Sequence, residues 1–425
     1  MLRALWHERS FLAALSVMHE QVGDIFEISL PGFEPVVVVG PDLNRRLLVS
    51  QRERFCFRTE SDAVTRLLRH GLLVEDGEEH ERLRNCMNPT LHKREAIDQI
   101  PVMLVETRFV TDSWRDGETV DTLVEMRKIA LVILIQTLFK IDFRQDLDRL
   151  WNPILQSIAY ISPGAWIVWP EIPRIGFAAQ LRLLDDYLYS MIARRKKELR
   201  SSGEEPPVSD LLGTLIATEG MTDDLIRDQL LTMLIAGHDT STALFAWALW
   251  LLGSNPDAMK IATEEVDRAV GNEGINAASV LSLDYLDWVV KEALRLYPPI
   301  HVGNRKVLED MEFGGYRLKA GSRVMYSIYL SHRDPKIWRD PEAFVPERFS
   351  PGEDRRPGLA YVPFGGGPRN CIGAAYAQIE AKVVLGHLLR EFELELVEPS
   401  VRPHMGATLE PRPGVRMRVR RRGAS

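Results

Sequence analysis

From Phe364 to Gly373 the chain reads FGGGPRNCIG, which sets one cysteine, Cys371, behind three consecutive glycines and just ahead of a helical pattern. Glycines let backbone N–H groups come close to the sulfur, and those donors, with the helix N-terminus beyond, lower the thiol pKa and hold the anion. Read this way the loop presents a thiolate. It also reads as a small buried cysteine in a tight turn, and the loop alone leaves both open. Two further groupings carry polar chemistry. Asp239 and Thr240 place an acid beside an alcohol in an otherwise apolar helical stretch, and Glu292 and Arg295 stand one helical turn apart. The latter spacing is ordinarily that of a surface pair worth about 0.2–0.5 kcal/mol. Other familiar chemistries are missing: there is no Gly-Lys-Ser/Thr phosphate loop, no H-E-x-x-H, no G-x-S-x-G elbow and no C-x-x-C. No two histidines lie closer than ten positions, which disfavours a zinc site built on a local ligand pair.

The elements that must position these residues are mostly helical. Amphipathic stretches near 122–140, 147–161, 175–200 and 223–253 are separated by Pro, Gly and Ser punctuation. The last of them starts at Thr222, an N-cap followed by Asp223 and Asp224, and ends at the Gly253-Ser254-Asn255-Pro256 stop. At 1.5 Å per residue it spans about 46 Å, enough to cross a domain. Its middle, Ala236 to Ser241, contains Gly, Asp and Thr, which weaken a helix. Residues 25–30 and 35–39 read as two short strands around Pro31-Gly32, and Pro41-Asp42 opens a helix. After Pro298-Pro299 the chain is strand- and turn-rich to Leu330, then irregular and rich in Pro and Arg over 335–370, and a helix follows Gly373. The fold class is mainly α with a smaller β-rich part, near 25–40, 311–330 and 394–420. No repeat or linker divides it, so the expected organisation is one domain over 1–425.

Of 425 residues, 45% are hydrophobic and 27% charged, a globular composition that can bury a large core. A formal charge of −7 disfavours nucleic-acid binding. The exception is local: Arg412, Arg416, Arg418, Arg420, Arg421 and Arg422 crowd the C-terminus without an acid. They suit an acidic partner, or a solvated strand, since Val415, Met417 and Val419 alternate with them. Three scattered cysteines, Cys56, Cys86 and Cys371, argue against a disulfide framework and for a reducing, cytoplasmic setting. The apolar runs Phe11–Val17 and Ala130–Ile135 are far below a membrane span, so neither a signal peptide nor a transmembrane anchor is expected.

The cysteine loop, F-x-x-G-x-x-x-C-x-G at Phe364, Gly367, Cys371 and Gly373, resembles the haem-binding loop of the cytochrome P-450 superfamily of haem-thiolate monooxygenases. Three more elements match in order: Ala236-Gly-His-Asp-Thr240 on the long helix, Glu292-x-x-Arg295, and Pro346-Glu-Arg-Phe349. The resemblance covers nearly the whole chain, and the cysteine loop is its most specific part. It implies haem b (iron protoporphyrin IX) with Cys371 as the axial ligand of the iron, a thiolate ligation that favours O–O cleavage. Phe364, Gly237 and Gly373 belong to the same cofactor site. It assigns Asp239 and Thr240 to the catalytic site: Gly237 leaves room for dioxygen, Thr240 offers a hydroxyl, and Asp239 relays protons. Thr240 bonded back to the Ala236 carbonyl at a helix kink is the plainer reading and is compatible with it. His238 flanks this pair and is not an iron ligand. Glu292, Arg295 and Arg348 become a buried structural network in which one carboxylate serves two guanidinium groups.

Haem propionates need cationic donors, and the resemblance places His80, Arg84, Arg305 and Arg369 there. Substrate is expected against Leu234, Ala236, Ile300, Val302, Gly303, Ala407 and Thr408, with the irregular 60–75 region nearby. These residues are largely apolar, which implies a lipophilic small molecule oriented by few polar groups. Trp166, Ile167, Val168 and Trp169 line an entrance loop, touch a membrane surface, or belong to the core. The implied activity inserts one atom of O2 into a C–H bond or a double bond. No flavin or iron–sulfur segment is recognisable, so electrons are expected from an external ferredoxin or flavodoxin and its reductase. A peroxide-driven peroxygenase of the same fold and a non-enzymatic haem carrier or gas sensor are the competing readings.

Overall fold

Thr222 begins the helix around which the other elements are arranged: its hydroxyl accepts the Leu225 N–H at 3.2 Å. The computed structural model describes residues 11–30, 32–164, 172, 174–203, 205–353 and 355–423. Its helices longer than ten residues are numbered here in chain order. They are α1 (Phe11–Val22), α2 (Gly77–Met87), α3 (Ile100–Thr111), α4 (Thr122–Leu134), α5 (Leu147–Ile161), α6 (Ala178–Ser202), α7 (Asp223–Ser254), α8 (Pro256–Val270), α9 (Asp284–Leu296) and α10 (Ala374–Glu391). Helix α7 is apolar on every side through most of its length and is buried accordingly, from Ile226 to Leu252.

The sequence reading runs one helix from 122 to 140. The structure ends the α-helical part at Leu134, continues through a π turn at Ile135–Phe139, and stops at Lys140, whose φ of 55° breaks the helix. Helix α4 lies along α7. A methyl group at Gly237 would overlap Leu134 Cδ1, so the glycine is what lets the two helices approach there. The stretch 67–74 is pressed onto α7 in the same way. A methyl at Gly71 would overlap Thr232 Oγ1, while Asp228 and Gln229 accept the N–H groups of His70 (3.1 Å) and Leu72 (2.8 Å).

The strands are β1 (Ile25–Glu27), β2 (Val36–Val38), β3 (Phe55–Cys56), β4 (Thr119–Asp121), β5 (Val302–Val307), β6 (Met311–Phe313), β7 (Tyr316–Leu318), β8 (Arg323–Ser327), β9 (Phe392–Leu396), β10 (Arg402–Met405), β11 (Leu409–Arg412) and β12 (Arg416–Arg421). The main sheet has the order β1-β2-β8-β5-β3, with β2 and β8 parallel and the other pairs antiparallel. Strand β2 is buried on both faces, as its uninterrupted valines require. Val36 and Val38 join Phe55, Val307 and Phe313, whereas Val37 joins Leu15 of α1, Phe26 and Ile28.

A second sheet, β4-β12-β9, carries the C-terminal arginines. Met417 and Val419 point into the core, and the register sets Arg416 opposite Asp121, Arg418 opposite Glu395 and Arg420 opposite Glu393. Arg418 reaches Glu395 at 3.0 Å and Arg422 reaches Asp267 at 2.7 Å. Acids of the same chain thus already face this stripe, and the solvated-strand reading accounts for it.

Candidate functional site

The Cys371 loop is held by short backbone bonds before any cofactor is considered. The Cys371 N–H donates to the Phe364 carbonyl at 2.8 Å, the Gly365 N–H to Val362 at 3.0 Å and the Asn370 N–H to Gly367 at 3.0 Å. Gly367 has φ of 66°, and a methyl there would overlap the Leu48 carbonyl, so both its conformation and its surroundings exclude a side chain. Cys371 is exposed as a residue, while its sulfur is surrounded by protein. Enclosure governs its titration: burial raises the thiol pKa, against lowering by the Gly373 N–H and by nearby Arg84. The Gly373 N–H acts in the lowering direction expected of the loop's backbone donors, and burial outweighs it. The loop presents the sulfur; a thiol that coordinates a metal ion loses its proton outright.

Beside it the structure gathers His80, Arg84, Arg305 and Arg369. His80, on α2, is buried and pushed down to about 4 by burial and then by Arg369, Arg84 and Arg305, so it is neutral at physiological pH. Arg84 donates to the Asn370 carbonyl at 2.9 Å and to its side-chain oxygen at 2.8 Å, two bonds onto the residue preceding the cysteine. Arg369 is tied to the Glu75 carbonyl at 2.7 Å, Asp76 at 2.8 Å and the Leu73 carbonyl at 3.1 Å, and burial lowers it to about 10. Arg305 is only 8% exposed, packs over Phe57 and Tyr326, and bonds the Asn304 carbonyl at 2.7 Å. Among the described residues it has no carboxylate within ion-pair distance.

Across α7, Thr240 donates to the Ala236 carbonyl at 2.5 Å, the back-bonded arrangement, and Asp239 turns the other way. Asp239 is 2% exposed; Thr408 donates to its Oδ2 at 2.8 Å, and Oδ1 has no hydrogen-bond partner, with Arg127 at 3.7 Å. Arg127 also pairs with Glu410, which pairs with Arg412 at 3.2 Å. Burial and then Glu410 raise Asp239 to about 6, partly opposed by Arg127 and Thr408. His238 is fully buried, donates from Nε2 to the Arg127 carbonyl at 3.0 Å, and is pushed down to about 3 by burial.

Glu292 and Arg295 on α9 are both fully buried. Arg295 forks onto the carboxylate at 2.7 and 2.8 Å, Arg348 adds 3.3 Å, and the Val345 N–H adds 3.0 Å. The remaining Arg295 protons go to the carbonyls of His332, Pro341 and Ala343.

The substrate candidates separate. Ile300 is 40% exposed, and Ala236, Val302 and Ala407 are half-buried. Leu234 instead faces an apolar void between α4, α5 and α6, with Ile135, Phe139 and Leu188. Gly303 is covered by the Tyr326 ring, which leaves no room for a Cβ, and Thr408 is spent on Asp239. Each of these three has a packing or hydrogen-bond partner within the chain. A Cβ at Gly237 would meet the end of the Leu134 side chain. Trp166, Ile167, Val168 and Trp169 lie outside the described residues.

The family model for cytochrome P450 matches residues 1–415. The chain belongs to the cytochrome P450 family. It is 29% identical to cytochrome P450 139 of Mycobacterium tuberculosis, covering 96% of this chain and 97% of that one. It is 30% identical to cyclooctatin synthase of Streptomyces melanosporofaciens, covering 95% and 87%. A solved structure of cyanobacterial CYP120A1 with retinoic acid bound superposes with a TM-score of 0.84 at 26% identity, covering 96% of this chain and 94% of that one. As a P450 it is a haem b monooxygenase that uses O2, a lipophilic substrate and redox partners. No helix among the described residues is long and apolar enough to cross a membrane.

The residues present fit the P450 cofactor: Cys371 stands near three guanidinium groups and an imidazole, of which Arg369 is paired with Asp76 and Arg305 has no carboxylate partner among the described residues, a donor set suited to a dicarboxylate. Sequence reading missed Arg127, Glu410 and Glu380. Glu380, on α10, is 2% exposed, accepts the Ser241 hydroxyl at 2.7 Å, and is raised to about 8 by burial. Its signal was a carboxylate among the apolar positions Tyr376, Ile379, Val383 and Val384 of that helix.

Proposed function

We propose that this P450 inserts one atom of dioxygen into a C–H or C=C bond of an extended lipophilic small molecule. Cys371 would bind the haem iron, and His80, Arg84, Arg305 and Arg369 would hold the propionates. When bound, the haem-thiolate group supplies O2 activation with two electrons, proposed to come singly from an external ferredoxin or flavodoxin and its reductase. The observation that carries the reading is Cys371: an exposed cysteine on a loop fixed by backbone bonds, immediately after the residue clamped by Arg84.

This chain's own residues then have definite tasks. Phe364 and Gly373 shape the two ends of the cysteine loop. Asp239, raised to about 6, holds or yields a proton near neutral pH, and the line Arg127, Glu410, Arg412 leads from it to a guanidinium whose side chain is 55% exposed. Thr240 carries its hydroxyl on the next residue of the same helix. Ala236, Ile300, Val302 and Ala407 offer apolar surface with few polar contacts, so binding is by burial. The bound retinoic acid of the cyanobacterial neighbour, a long apolar molecule with one carboxylate, supports a substrate of that extended kind. The proposal includes one catalytic unit over 1–425 in the cytoplasm, supported by three free cysteines.

The test is the absorption of purified, haem-loaded protein reduced under carbon monoxide. A red-displaced Soret band is expected in the wild type and its loss in Cys371→Ala; a fully loaded wild type without that band would sink the reading. Product formed with NAD(P)H and redox proteins, but not with peroxide alone, is expected for a monooxygenase.

A further inference from the structure

The cysteine loop must keep one height relative to the helices, yet most of its bonds are internal. Among the described residues, side chains from elsewhere bond the backbone of 362–371 at two places. Arg84 takes the Asn370 carbonyl at the far end, and at the near end the Val362 N–H donates to His332 Nε2 at 2.8 Å. His332 is fully buried in the turn after β8.

Its imidazole has one consistent protonation. Nε2 accepts from Val362, so Nδ1 carries the proton, and Nδ1 lies 3.3 Å from the Arg295 carbonyl. The His332 carbonyl accepts from Arg295 Nη1 at 2.9 Å, so this histidine and the Glu292-bound arginine clasp each other twice. The ring is fixed on its faces as well. It stacks on Tyr361 at 5.2 Å, and Trp338 meets its edge at 6.2 Å. Tyr361 is anchored through its hydroxyl to the Lys291 carbonyl at 3.0 Å, and Trp338 through its indole N–H to the Ser331 carbonyl at 3.0 Å. Burial and the Arg295 and Arg333 charges push the imidazole down to about 3, which keeps Nε2 an acceptor.

We infer that His332 is a positioning residue for Cys371: its neutral imidazole carries the location of the Glu292–Arg295 pair on α9 to the Val362 N–H and so sets the start of the loop that presents the sulfur. The inference rests on the reading of Cys371 as the axial ligand. Removing the acceptor leaves the Val362 N–H buried without a partner, and the loop gains a displaced position in which the sulfur is no longer held under the iron.

Three holoenzyme variants separate this role from packing. His332→Gln carries an amide whose oxygen reaches the place of Nε2 and accepts from Val362. His332→Asn reaches only the place of Nδ1. His332→Phe keeps the ring stack and accepts nothing. The readouts are the fraction of the reduced, carbon monoxide-bound protein lacking the red-displaced Soret band, and the haem reduction potential, each measured well below the unfolding midpoint. The expected result is a rise of about tenfold in the unshifted-to-shifted ratio for Asn and Phe, the scale of one lost buried hydrogen bond. The potential should move upward in both variants as thiolate donation weakens. Gln should stay near the wild type.

Equal ratios and potentials in Gln and Asn, or wild-type values in folded Phe, would overturn the inference while leaving Cys371 ligation intact. If Phe does not retain haem, Gln against Asn still decides. A wild type without the shifted band would overturn both readings together.

Discussion

Replacing Asp239 by asparagine should stabilise the protein at neutral pH while impairing its chemistry. Asp239, Arg127 and Glu410 form a buried trio, with side chains 2%, 11% and 6% exposed, holding two carboxylates against one guanidinium. Burial first, and then the neighbouring Glu410 charge, raises Asp239 from 3.8 to about 6. At about 1.36 kcal/mol per pH unit, ionising it in the fold costs about 3 kcal/mol more than ionising it in the unfolded chain. The sign follows from proton counts. Between about pH 4 and 6 the folded state holds the proton that the unfolded state has lost, so this residue's contribution to stability falls as pH rises through that window. Asparagine removes the cost, and its amide oxygen can still accept from Thr408. Unfolding free energies of wild type and Asp239→Asn from urea titrations should therefore coincide near pH 4 and diverge by up to about 3 kcal/mol by pH 7, the variant being the more stable. In the same preparation, the rate of product formation should fall by about a hundredfold, the lower range for a lost proton-transfer group. A variant less stable than wild type at pH 8, or a difference that ignores pH, would refute the electrostatic reasoning.

Two other outcomes follow from the geometry. Gly367→Ala forces a left-handed residue against the Leu48 carbonyl and should cost more than about 2 kcal/mol. Gly366→Ala meets the movable Leu359 side chain and should cost less; haem-loaded yield and thermal midpoint read the order, and equal losses would contradict it. His238, His301, His332 and His387 are buried and held neutral, at about 3, 4, 3 and 4. Below about pH 6.5 the unfolded chain takes up protons that the fold refuses, so each imidazole subtracts about 1.36 kcal/mol per pH unit on acidification. Asp239 and Glu380 act in the opposite sense but are fewer, so urea midpoints should drop steeply from pH 6 to 5; a flat profile would count against this account.

What the sequence made legible was local. Thr222 with Asp223 at one end and Asn255-Pro256 at the other bounded α7, because caps and stops act within a turn. The valines of β2 and the alternation of Met417 and Val419 were readable for the same reason. Illegible were the pairings that depend on distant chain. Glu410 meets Arg127 across 283 positions, and Thr408 meets Asp239 across 169. Thr408 reads as pocket lining in the sequence, where its bond to Asp239 cannot be seen. The approach of Leu134 to Gly237 spans just over a hundred positions and was equally out of reach. Strands β3 and β4, of two and three residues, carry too little pattern to be read.

Two of the internal carboxylates, Glu292 and Asp239, are treated differently by the same fold. Glu292 receives two bonds from Arg295, one from Arg348 and one from the Val345 N–H, so its charge is met in full and its removal would strand Arg295 at a cost of about 3–5 kcal/mol. Asp239 receives one hydroxyl, and one oxygen is left without a bond in a helix that runs through the core. A chain that can satisfy a buried carboxylate four times over has the means to satisfy the second, and local rules are characteristically broken where function requires it. The deficit at Asp239 keeps its proton exchangeable near neutral pH, and that is the property a proton-delivering residue needs.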